Sequence, residues 1–178
     1  MDFVYSDGGR AAEGFKGKAG DCVVRAIAIA TEQRYVAVYE ALSEGCRTQR
    51  KTKRSKAKGS ARNGVNVKRK WFRDYMAAIG WTWTPTMGIG TGCRVHLADG
   101  ELPIGRLIVS VSKHYTTVID GVIHDTYDPQ RPVLDLYGYP PVLDADGSLR
   151  NPVIGTTGGR CVYGYWSESD IALALAFR

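Results

Sequence analysis

The sequence predicts an α+β domain, with helices in its first half and an antiparallel sheet in its second. Three observations lead there. Between Cys22 and Ile79 the apolar residues recur mostly at helical spacing. From Arg106 onward, short runs rich in Val, Ile, Thr and Tyr alternate with Gly, Asp and Pro. Inside that second half lies Asp120-Gly121, the dipeptide type that most strongly marks a tight hairpin.

A chain of 178 residues supports one domain with a sizeable core, taken here as residues 1–178. Its 44% hydrophobic and 24% charged residues are those of a globular protein. A net charge of +6 and a pI near 9.2 suit an acidic partner. No apolar run approaches transmembrane length, so no membrane partner is expected. The N-terminus lacks the basic-then-apolar layout of a signal peptide. Cys22, Cys46, Cys93 and Cys161 contain no CxxC pair. Reduced thiols in a cytoplasmic compartment are therefore expected.

Residues 1–19 are polar and glycine-rich, an extended arm with one short strand at Phe3-Val4-Tyr5. A helix should begin at Cys22, with Asp21 as its N-cap, because a carboxylate there can accept bonds from free helical N–H groups. The residues that follow are apolar nearly all round, so this helix should be central and buried. A second helix is expected over 33–44, with Tyr35, Val38, Tyr39 and Leu42 on its packed face. From 47 to 62 there is no acidic residue, and the block includes Arg47, Arg50, Lys51, Lys53, Arg54, Lys56 and Lys58. Such a block repels itself and should form a mobile loop that docks on an acidic protein or nucleic acid. A third helix should start near Val67 and stop at Gly80, burying Trp71, Phe72, Tyr75, Met76 and Ile79.

Short strands are expected at Trp81-Thr82-Trp83 and over 93–97, separated by a glycine-rich link over 87–92. A longer strand over 106–112 leads to His114. Residues 129–159, rich in Pro, Gly and Asp, should be an irregular excursion. The chain returns as a strand over 160–166. Ser167, followed three residues later by Asp170, resembles a capping box, so the end is expected as a short helix or an extended tail.

The hairpin carries the chemistry. With Asp120-Gly121 as a two-residue turn, Ile119 pairs with Val122, Val118 with Ile123 and Thr117 with His124. Thr116 then faces Asp125, and His114 faces Tyr127. Period-two alternation puts His114, Thr116, Val118, Ile123, Asp125 and Tyr127 on one face, and Tyr115, His124 and Asp128 on the other. Asp125 sits diagonally across from His114, within side-chain reach. A histidine held by a carboxylate is half of a catalytic triad. Cys22 is the matching nucleophile: at a helix N-terminus the positive end of the helix dipole lowers a thiol pKa. Their plain alternatives are a small buried Cys and a satisfied core His. A zinc site drawn from Cys22, Cys93, Cys161, His96, His114 and His124 lacks close ligand spacing, so neither metal nor cofactor is expected.

Gly20-Asp21-Cys22 before a buried helix resembles the nucleophile region of the papain-like cysteine peptidase superfamily, in its C39-like, bacteriocin-processing branch. Lys113-His114-Tyr115-Thr116-Thr117-Val118-Ile119-Asp120-Gly121, with Asp125 beyond, resembles that branch's histidine strand and the next one. The layout is also similar to that of uncharacterised phage and actinobacterial proteins. The resemblance covers about residues 15–128 and the closing strand. It implies a papain-like fold and cleavage of a peptide or isopeptide bond in a protein or peptide substrate, in the host cytoplasm if the chain is phage-encoded. Cys22 would attack as thiolate, His114 would protonate the leaving amine, and Asp125 would orient the ring. The Cys22 N–H would help hold the oxyanion. Lys16 stands where the superfamily has a Gln, with Lys18 nearby, so these two lysines are the side-chain oxyanion candidates. A thiol acyltransferase would share the first half-reaction. The rival readings are a non-catalytic phage-type inhibitor of a host factor and a nucleic-acid-associated protein acting through the basic arm.

Overall fold

The structure, a computed structural model, describes residues 1–49, 59–130 and 159–169. Among these residues it is α+β, as expected, with three α-helices and one six-stranded sheet. The helices are α1 (Cys22–Thr31), α2 (Tyr35–Thr48) and α3 (Lys70–Ala78), with a 3-10 turn at Ala61–Asn63. The strands are β1 (Phe3–Tyr5), β2 (Trp81–Pro85), β3 (Arg106–Val111), β4 (His114–Ile119), β5 (Val122–Asp125) and β6 (Val162–Glu168). Their order across the sheet is β1-β5-β4-β3-β6-β2. Only β1 and β5 run parallel.

The Asp120-Gly121 hairpin forms in the expected register, with Ile119 opposite Val122, Val118 opposite Ile123 and Thr117 opposite His124. Both turn residues have positive φ, 49° and 82°, as a turn that follows the strand twist requires. The ladder then stops. On its other side Asp125 pairs with Tyr5 of β1, and its carbonyl accepts from Ser6 N–H at 2.8 Å. A second hairpin precedes this one: Val111 faces His114 across Ser112-Lys113, and Lys113 carries a φ of 57°. β3 therefore reverses into β4 rather than leading straight into it.

Helix α1 lies along β4 and runs the same way. Thr117 Oγ1–H donates to Ala26 O at 2.8 Å, and Arg106, opposite Ile119, donates to Ala30 O at 3.2 Å. From Cys22 to Ala30 the helix rises about 12 Å, and from His114 to Ile119 the strand rises about 16 Å. The two lengths set Cys22 beside the start of β4. Ala26 and Ala30 are small enough to let the helix axis approach the sheet, and both are buried.

Both faces of the sheet are covered. On one, Ile108 and Trp166 pack with Val24, Ile27, Tyr35, Leu42, Phe72 and Met76 of the helices. On the other, Leu107, Val109, Val111, Val118, Ile123 and Val162 pack beneath Leu97 and Leu102. Burial of each such side chain contributes about 1.5–3 kcal/mol before the entropy cost of ordering it.

Several expectations are corrected. Cys93 and Cys161 form a disulfide, their Cα atoms 5.8 Å apart, while Cys22 and Cys46 are free. The partners are 68 residues apart in sequence, and a bridge between His96 and Cys161 brings them together. That single bridge replaces the strand expected over 93–97. Ser167 belongs to β6 and pairs with Leu107 and Thr82, so its backbone is claimed by ladders on both sides and it does not cap a helix. The basic loop expected over 47–62 does not hold at either described end. Arg47 is in α2 beside Glu44, and Ala61 is fully buried, its N–H bonded to Ser43 Oγ. Arg50, Lys51, Lys53, Arg54, Lys56 and Lys58 lie outside the described residues, as do 131–158 of the expected excursion and 170–178 of the tail. No described helix is long and apolar enough to cross a membrane.

Candidate active site

Cys22, the first residue of α1, meets His114, the first residue of β4. The thiol and the imidazole line the same groove, and the imidazole and the Tyr115 backbone both act on the thiol's pKa. The other side of the ring is held by Asp125, whose Oδ2 is 2.7 Å from His114 Nε2. That bond leaves Nδ1 as the nitrogen able to serve the thiol. Both His114 and Asp125 are buried, and Asp125 Oδ1 accepts from Thr126 N–H at 2.6 Å. Tyr127 stacks obliquely on the imidazole, with ring centroids 5.0 Å apart. The expected diagonal between His114 and Asp125 thus exists, even though the strand ladder ends one pair short of it.

The electrostatics favour a thiolate–imidazolium pair. Burial works against both charges. The Asp125 carboxylate and the Cys22 thiol outweigh it at the histidine and raise its pKa to about 9. At Cys22 burial pushes upward, but the bond to His114, the Tyr115 N–H and the charges of His114 and Arg25 bring the thiol below its ordinary value. Asp125 is opposed by burial too, and its contact with His114 holds it below the usual carboxylate range.

Asp21 does not cap α1. Its side chain makes no bond to the helix N–H groups. It is buried instead among Arg10 (Nε to Oδ2, 2.9 Å), Arg25 and the Tyr35 hydroxyl, which donates at 2.5 Å. The first main-chain bond of the helix runs from Arg25 N–H to Asp21 O. The N–H groups ahead of it, including that of Cys22, are left facing the site without a capping carboxylate.

Cys22 and His114 line a groove of about 1010 Å³. The lining also draws on Gly20, on Asn63, Gly64, Lys68 and Arg73 before and within α3, and on Ser110, Val111, Lys113 and Tyr115 of the β3–β4 hairpin; Trp83, Tyr163 and Trp166 add aromatic surface. Gly164 lets Trp83 into that surface, since a Cβ there would fall 2.3 Å from the Trp83 ring. Lys16 and Lys18 are exposed and are not part of the lining. Their carbonyls accept from Arg62 at 3.2 and 3.3 Å, which ties this strand of chain to the Ala61–Asn63 turn. Gly20 N–H donates to Arg62 O at 2.9 Å in the same tie. It is Asn63 that stands beside Gly20 in the groove, with no side-chain bond among the described residues.

The remaining histidines lie elsewhere. His96 Nδ1 is 3.1 Å from Glu101, and His124 is half-buried, its pKa lowered by burial and then by Arg106. With Cys93 and Cys161 joined, the zinc set considered from sequence is not assembled, and no described cluster of His, Cys, Asp or Glu could hold a metal ion. Arg10, Asn63, the groove cations and the aromatic wall were not foreseen as parts of the site. Only Arg25, four residues after Asp21, carried a local signal for its ion pair. No family model, curated protein or solved structure gives a significant match to this chain.

Proposed function

We propose that this protein is a papain-like thiol hydrolase that cleaves a peptide or isopeptide bond through Cys22, His114 and Asp125. The observation that carries the reading is the contact chain from thiol to imidazole to carboxylate, opening on a groove, with all three pKa values moved toward the ion pair. The Cys22 thiolate attacks the acyl carbon, and the carbonyl electrons move onto oxygen. The Cys22 N–H and the Asn63 amide donate to that oxyanion. On collapse, the C–N bond breaks, and His114 Nδ1 gives its proton to the leaving amine. Water then attacks the thioester, returns a proton to His114 and releases the acid and the thiolate. An amine in place of water would make the same intermediate an acyl transfer.

The test is alkylation at neutral pH. Cys22 should react with iodoacetamide faster than Cys46, whose thiol is pushed up by burial, and His114→Ala should slow Cys22 about ten-fold or more by removing its counter-charge. Mass spectrometry of partially labelled protein reads both sites. Equal labelling, or a Cys22 that resists labelling in the folded protein, would overturn the proposal.

A further inference from the structure

We infer that the groove selects an acidic peptide segment, with Lys68, Arg73 and Lys113 as the residues that read its charge. This deepens the hydrolase proposal and rests on it. The described lining contains these three cations and no Asp or Glu. They come from two parts of the chain: Lys68 just before α3 and Arg73 in its first turn, and Lys113 in the turn ahead of His114.

Several other surface cations are held in ion pairs, whereas these three are not. On the same helix Lys70 holds Asp74 at 2.8 Å. Elsewhere Arg47 holds Glu44, Arg34 holds Glu13 and Arg106 holds Glu32. None of Lys68, Arg73 and Lys113 has an ion-pair partner among the described residues. Unpaired like charges around a cleft raise the local concentration of an oppositely charged ligand.

The aromatic surface of Trp83, Tyr163 and Trp166 supplies apolar area in the same groove. A peptide with carboxylate side chains near the scissile bond and an apolar side chain against this surface satisfies both features. A neutral or basic peptide would leave these three charges without a counter-charge.

The experiment needs no knowledge of the natural substrate. Iodoacetate and iodoacetamide both alkylate Cys22, with the S–C bond forming as the C–I bond breaks and iodide leaves. They differ in one negative charge. The ratio of their rate constants on the full chain reports the field of the groove, with His114 present throughout. In the protein carrying Lys68→Gln, Arg73→Gln and Lys113→Asn, that ratio should fall about five- to ten-fold at low ionic strength. Asn is chosen at 113 because it tolerates the left-handed backbone found there. In the unaltered protein the same ratio should fall as salt is raised. Lys113→Asn alone, at an exposed turn, should give a part of the change. A ratio within two-fold of the unaltered one in the triple variant, or one insensitive to salt, overturns the charge selection while leaving the hydrolase proposal standing. A Cys22 that reacts with neither reagent faster than Cys46 overturns the hydrolase proposal itself, and this inference with it.

Discussion

Asp21 and Asp125 are both carboxylates with almost no exposed surface, 1% and 4% respectively, yet they are compensated in opposite ways. Asp21 sits among two guanidinium groups and a tyrosine hydroxyl. Arginine does not lose its proton in the working range, so that arrangement is permanent. It pins residue 10 of the N-terminal arm, the first turn of α1 and the first residue of α2 to one point. Asp125 faces one imidazole, with the backbone N–H and hydroxyl of Thr126 on its other oxygen. Its partner gains and loses a proton, so the pair can change charge during a reaction. A carboxylate matched to fixed cations holds a shape, and one matched to a histidine holds an orientation and a reservoir for a proton. Both duties meet at Cys22: Asp21 precedes it in the chain, and Asp125 reaches it through His114.

The sharpest way to break the comparison is Asp125→Asn. Asparagine keeps the volume but cannot stabilise the imidazolium and can fix the wrong tautomer. Turnover should fall by about three to four orders of magnitude, as loss of the orienting carboxylate does in a serine triad, with the fold retained. The pH profile should change as well. His114 in the unaltered protein keeps its proton up to about pH 9, so the basic limb of the rate should lie there. Without Asp125 that limb should move to lower pH. The same shift has a stability consequence. A folded-state pKa raised from 6.5 contributes stability that is fully present below about pH 6.5 and lost as pH rises through about 9. Steady-state rates across pH, with circular dichroism as the control for folding, decide the matter. Full activity in Asp125→Asn would remove the carboxylate from the mechanism.

Asp21→Asn should do the reverse. It leaves two buried guanidinium groups facing one amide, and breaking a buried ion pair on one side costs about 3–5 kcal/mol. The side chains of Arg10 and Arg25 are each 12% exposed, so part of that cost is relieved by solvent. The denaturant midpoint should drop sharply. An Asp21→Asn protein with unchanged stability would show that this cluster is decorative and that the two aspartates do not divide the labour as described.

How far the sequence foretold each carboxylate follows from the range of the forces involved. Asp125 was found because a hairpin is local: Asp120-Gly121 sets the register, and period-two alternation carries it to His114. Cys22 at the head of α1 was equally legible, since the apolar run after it has only one way to be buried. Asp21 was misread. Local rules offer a residue before a helix only the helix N–H groups as partners, whereas its actual partners include Arg10, 11 residues upstream, and Tyr35, 14 residues downstream. The Ser112-Lys113 turn was missed for a related reason: Lys113 adopts a φ of 57° with no Gly, Asn or Asp to announce it. The parallel pairing of β1 with β5, the Cys93–Cys161 bond and the closeness of Asn63 to Gly20 join segments far apart in sequence, and no periodicity encodes them. The two lysines proposed for the oxyanion were carried by sequence offset alone, and the tie from their carbonyls to Arg62 leaves Asn63 in the groove instead.

A third aspartate sharpens the contrast by lacking both duties. Asp120 is exposed at the tip of the hairpin, with a φ of 49°, and its Oδ1 accepts from Gly105 N–H at 3.0 Å. Asparagine tolerates the same left-handed backbone and forms the same turn before glycine. Its side-chain oxygen can accept the Gly105 bond without a charge. Asp120→Asn should therefore change stability by no more than about 0.5 kcal/mol and leave turnover and its pH profile where they were. Asp120→Ala would lose both the bond and the tolerance of positive φ, so it separates the turn's geometry from the carboxylate's charge. Thermal melts of the two variants beside Asp125→Asn make the reading unambiguous. A loss of activity in Asp120→Asn with an unchanged melt would mean that charge at the hairpin tip acts on His114 from a distance, and the division between a carboxylate matched to fixed cations and one matched to a titrating histidine would then have to include it.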